Sequence, residues 1–112
     1  MDRVSAMTSE KAGSGIAWAA LVHTPGPTAS GPMFQDPRFT HHVAFLRSLD
    51  DKRWLVAAGS FSDADGEGMT VVRYPESVGI DEVERLAQAD EAVVSGLLSV
   101  RIRPWRVVMA GN

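Results

Sequence analysis

The chain carries three histidines, His23, His41 and His42, and two of them are neighbours in the segment FTHHVAFLRSL, residues 39–49. Imidazole titrates near neutrality, so an inward-facing histidine with a carboxylate on one ring nitrogen can take and return a proton at cellular pH. Spacing decides which of the pair faces inward. His42, Phe45, Leu46 and Leu49 follow the i, i+3, i+4, i+7 pattern of one helical stripe, whereas His41 sits about 100° round the helix, nearer Ala44 and Ser48. Taken alone, a histidine on an apolar stripe is more often a hydrogen-bonded core residue than a catalyst. Asp90, in the segment AQADEAVVSGL, has an equally plain reading as the cap of a short helical turn.

Other chemistry is narrower. The chain has no cysteine, which removes thiolate nucleophiles, disulfides and cysteine-bound metal, and points to the cytoplasm. No serine or lysine stands in a motif that would activate it as a nucleophile. The histidines offer neither HxxxH nor HExxH spacing, which argues against a metal; His23, at a strand end, is the residue that keeps one open. Gly13 and Gly15 mimic the start of a dinucleotide fingerprint, but residue 18 is Trp and the glycines precede a strand instead of following one. DADGE, from Asp63, resembles part of a calcium loop, yet Tyr74 stands where that loop needs its last glutamate. No metal and no cofactor is expected.

The elements that must position His42 and Asp90 follow from periodicity and breakers. Residues 1–13 read as a loose tail, ahead of a single domain over 14–112. GIAWAALVH, 15–23, is a short apolar run with the length of a buried strand. Pro25, Pro27, Pro32 and Pro37 forbid helix or central strand over 24–37, and a loop this long suits a cover over a site. A helix then runs from near 36–40 to about Asp51, with Asp36 or Thr40 as cap. Strands at 53–61 and 68–74 form a hairpin through Asp65-Gly66. A second helix over about 78–88 buries Ile80, Val83, Leu86 and Ala87, with Ser77 or Gly79 as cap. A helical turn at DEAVVSGL and a strand over 100–109, edged or bulged at Pro104, complete the order βαββαβ.

That order predicts an α+β, ferredoxin-like domain: a four-stranded antiparallel sheet with both helices on one face. IAWAALV, WLVAA and TVV are apolar at both parities, although an antiparallel sheet open to water on one side should alternate. The second face is therefore expected to be covered by another copy of the chain. With 112 residues, 45% hydrophobic and 22% charged, the core is small enough for dimerisation to help. The net charge of −3 and the lack of a basic run argue against nucleic acid and anionic membranes as partners. The N-terminal stretch lacks a signal-peptide core and no run is long enough to span a bilayer.

HHVAFLRSLDDKRWLVAAGSF, DADGEGM and AQADEAVVSGLLSVRIRPW together resemble the YciI-like (YCII-related) family over about residues 16–108. Aligned on Ala58-Gly59, the family histidine falls on His42 and the aspartate of its Ala-Asp-Pro segment on Asp90, with Gly96 and Pro104-Trp105 in register. Ser60 and Glu91 replace two family prolines. The resemblance implies a dimeric α/β barrel subunit and a His42–Asp90 catalytic pair in a pocket between helices and sheet. Asp90 would orient the ring and His42 would move the proton. The expected function is a cofactor-independent lyase or isomerase acting on a small molecule, with Ser60, Arg38 and Arg73 as polar contacts. The alternatives are a non-catalytic small-molecule binding or regulatory module on the same dimeric fold, and a purely structural role for His42.

Overall fold

The computed structural model describes residues 15–111; the expected tail over 1–13 lies outside them. Four strands, β1 (Ile16–Pro25), β2 (Leu55–Ser60), β3 (Gly68–Pro75) and β4 (Leu98–Trp105), form one sheet in the order β2-β3-β1-β4. Every neighbouring pair is antiparallel. The helices are α1 (Phe39–Asp51), α2 (Ile80–Gln88) and the single turn α3 (Glu91–Val94). This α+β arrangement is compatible with the ferredoxin-like order read from the sequence.

The helical stripes fall where periodicity puts them. On α1, His42, Phe45 and Leu49 are buried and Leu46 is half-buried, while His41 is exposed; on α2, Val83 and Ala87 are buried. They close on Ala19 and Leu21 of β1 and Val72 and Tyr74 of β3 to make the main core. Leu21, Leu49, Val72 and Val83 are fully buried, each worth about 1.5–3 kcal/mol of apolar burial. A second, smaller cluster of Met33, Ala92, Leu97 and Leu98 lies under the Pro-rich loop.

β2 is shorter than the expected 53–61, because Arg53 takes a left-handed φ of 65° that ends the turn after α1. Three other boundaries also differ from expectation for local reasons. β1 runs on to Pro25, because Pro25 pairs with Leu98 and the partner strand starts two residues earlier than its composition suggests. β4 ends at Trp105, which leaves Val107 and Met109 outside it; Pro104 sits on an edge strand, where a missing N–H does no harm. Thr40 lies inside α1 and its hydroxyl donates to the Pro37 carbonyl, so it is not the cap. Asp36 instead accepts the Arg38 backbone N–H at 2.9 Å, just ahead of the helix.

The loop over 24–37 is tied down at both ends. Gly26 donates its N–H to Leu97 and Thr28 to Gly96, and a Cβ on Gly26 would collide with the Gly96 carbonyl. The Arg38 guanidinium bonds Asp36, the Thr28 hydroxyl at 2.8 Å and the Ser95 carbonyl at 3.3 Å. That pairing holds the Asp36 carboxyl down to about 2, so it stays ionised in the clamp.

Candidate functional site

His42 enters the site from the inner stripe of α1, and Asp90 from the junction between α2 and α3. The His42 Nδ1 lies 2.7 Å from Asp90 Oδ2, and both side chains are buried. Asp90 Oδ1 accepts the Ala92 backbone N–H at 2.9 Å. The aspartate therefore does both jobs read from the sequence: it caps α3 and it holds the histidine. A carboxylate at this position selects the His42 tautomer that carries a proton on Nδ1 and keeps Nε2 as the ring's acceptor. Phe39 and Phe45 flank the ring, with centroids at 5.4 Å and 6.1 Å, and limit its rotation.

His42 faces a cavity of about 240 Å³. Met33 and Phe34 of the Pro-rich loop, Phe39 and Leu46 of α1, and Leu98 of β4 give it apolar walls; Ser60 and Thr70 add hydroxyls and Glu67 a carboxylate. A 150 Å³ apolar cavity holds benzene, so this one suits a compound of about ten non-hydrogen atoms. Its wall contains no lysine or arginine among the described residues, which favours a neutral ligand over a phosphate or a dianion. Met33 and Phe34 give the Pro-rich loop a place over the site, and Asp65 anchors it by accepting the Met33 N–H at 3.1 Å.

The other expected contacts separate. Ser60 lines the cavity. Arg38 does not; it serves the loop clamp between Asp36, Thr28 and Ser95. Arg73 lies on the opposite face of the sheet, its guanidinium 5.6 Å from the Trp18 ring centroid. On that face Trp18 also meets Trp105 edge-on at 6.1 Å.

His23 is the residue that spacing along the chain misses. It ends the inner face of β1, opposite Gly68, where a Cβ would come within 2.5 Å of the Gly59 carbonyl. Its ring meets that of His42 edge-on with centroids 4.6 Å apart, and its Nε2 is buried with no hydrogen-bond partner among the described residues. Desolvation, reinforced by His42 and opposed by Asp90, lowers its pKa to about 4, so the ring is neutral at pH 7. His23, His42 and Asp90 each offer one donor atom within 4.8 Å of the others, a set of imidazoles and a carboxylate of the kind zinc takes. The absence of HxxxH spacing says nothing about such a set, because its members come from β1, α1 and the α2–α3 junction.

Compared with protein-family models and with curated proteins, the chain matches none. No helix among the described residues is long and apolar enough to cross a membrane.

Proposed function

We propose that this protein is a cofactor-independent enzyme of the lyase or isomerase kind, a cytoplasmic YciI-like homodimer built as a dimeric α/β barrel. In this reading His42 moves a proton on a small, largely apolar molecule, Asp90 orients the ring and stabilises its charged form, and Ser60 contributes a polar contact. The observation that carries the reading is the buried His42–Asp90 bond of 2.7 Å at the wall of a cavity. A histidine with only a packing role would not need to line a cavity while a buried carboxylate holds its Nδ1. The three segments that resemble the YciI-like family support the same pair.

The step assigned to His42 is removal of a proton from a carbon next to a carbonyl. The C–H pair moves into a C=C bond, the carbonyl pair moves onto oxygen, and the proton rests on Nε2 until it returns to the same carbon or a conjugated one. The neutral ketone 2-indanone, with ten non-hydrogen atoms, fits the size estimated from the benzene cavity at roughly 25 Å³ per atom. Proton NMR in heavy water is expected to show protein-accelerated loss of its methylene signals. His42→Ala should cut the acceleration by about 10²–10⁴-fold, the usual worth of a positioned acid–base group. Acceleration that survives His42→Ala sinks the proposal, whereas saturable binding without exchange favours the non-catalytic module.

A further inference from the structure

Three groups from three different elements come together at the cavity, where His23 and His42 both line the wall and Asp90 lies beside them, and the proton-transfer reading uses only two of them. His23 Nε2 is a buried nitrogen with no partner among the described residues, and an atom left unbonded in that way is destabilising. Its neighbours are the His42 ring, centroid to centroid 4.6 Å away, and the Asp90 carboxylate. Hydrophobic residues would fill this space more cheaply than a second histidine.

We propose that His23, His42 and Asp90 form a binding site for a single divalent transition-metal ion of the zinc class, with its remaining coordination position on the cavity side. All three side chains are buried, and one donor atom from each lies within 4.8 Å of the others. Zinc bonds to imidazole nitrogen and carboxylate oxygen are about 2.0–2.2 Å long, which sets neighbouring donors roughly 3.3 Å apart in a tetrahedral site. His42 Nδ1 and Asp90 Oδ2, at 2.7 Å, need to part by about 0.6 Å, and the His23 ring needs to close on them from within 4.8 Å. Two imidazoles exclude magnesium and calcium, which take oxygen ligands. A third histidine would add nothing here, since His41 points to solvent.

The ion would replace the proton on His42 Nδ1 and take up Asp90 Oδ2, so an occupied site cannot work as an imidazole–carboxylate pair. Zinc thereby switches off the exchange reaction; this consequence rests on the proposed proton transfer, and the binding itself does not.

The test uses the full chain, stripped with a chelator and titrated with zinc against a chromophoric indicator, and with cobalt for the visible bands of a tetrahedral site. One equivalent is expected to bind. His23→Leu should weaken binding beyond the about 10–100-fold that loss of an outer partner costs. His41→Ala should leave it unchanged. In wild-type protein labelled with ¹⁵N-histidine, zinc should shift the imidazole nitrogens of His23 and His42 and spare those of His41, a readout that needs no variant to fold. Equal affinity in His23→Leu, or zinc shifts confined to His41, overturns the site. Zinc that binds at these residues and accelerates the 2-indanone exchange keeps the site and removes the metal-free dyad; exchange indifferent to zinc, with no binding, does the reverse.

Discussion

Asp90 divides its two oxygens between a side chain and a backbone: Oδ2 lies 2.7 Å from His42 Nδ1, and Oδ1 accepts the Ala92 N–H at 2.9 Å. The same carboxylate thus starts α3 and sets the angle of a ring on α1, so the start of that short helix and the orientation of the ring are one structural fact. Removing the carboxylate leaves the buried His42 ring nitrogen without its partner, which costs about 1–3 kcal/mol, and losing a cap costs about 1 kcal/mol more.

Asp90→Ala removes both bonds, whereas Asp90→Asn keeps a carbonyl oxygen for the Ala92 N–H. Urea unfolding followed by circular dichroism should show both variants less stable than wild type, with Ala lower than Asn by about 1 kcal/mol. Equal losses would mean that the cap contributes nothing.

Acid should weaken the fold through His23. Its pKa falls from 6.5 in the unfolded chain to about 4 in the folded protein, chiefly by desolvation, with His42 adding to the fall and Asp90 opposing it. Between those values the unfolded chain holds more protons than the folded one, so stability rises with pH there. The contribution is fully present above pH 6.5 and is lost as pH drops toward 4, with a ceiling of about 3 kcal/mol. Glu67 lines the same cavity and is itself an acid, so the comparison must be with a variant and not with a fixed baseline. Metal-free His23→Leu should decline less steeply than wild type across pH 6.5 to 4 in a urea series. Parallel declines would show that the buried neutral ring is not the cause.

A residue is legible in this sequence where the pattern around it has a phase. The α1 stripe has one, so spacing alone turns His42 inward and His41 outward, and the position of Asp90 ahead of an apolar turn marks it as a cap. β1 has none: Ala17, Trp18, Ala19, Ala20, Leu21 and Val22 are apolar at both parities, so alternation does not say which way His23 points. Only the pairing of His23 with Gly68 and Val100 settles that. Arg38 misleads for a different reason. A cation beside a candidate site suggests a ligand contact, but Asp36, Thr28 and Ser95 reach its guanidinium from three places along the chain, and none of those contacts is visible as spacing.

The lack of alternation in β1 carries the last prediction. Its outward residues Trp18, Ala20 and Val22 are half-buried, and Met69 and Val71 of β3 stand beside Val22 and Ala20 across the ladder. Trp105 on the edge strand is 48% exposed and Met69 37%, while Arg73, Arg101 and Arg103 ring the apolar middle. A sheet face that is apolar at its centre and cationic at its rim suits a partner that buries the centre and leaves the rim wet, as the proposed barrel dimer would. Trp105, on the outer face of the edge strand and 48% exposed, is a position where a charge is costly in that interface and tolerable in a lone subunit, since its side chain already meets water there. Sedimentation velocity at micromolar concentration should give twice 12.1 kDa for the wild type and 12.1 kDa for Trp105→Asp, with the helical circular dichroism retained. A wild type that sediments as a 12.1 kDa monomer would instead leave the outer face to water and remove the dimer from the proposed function.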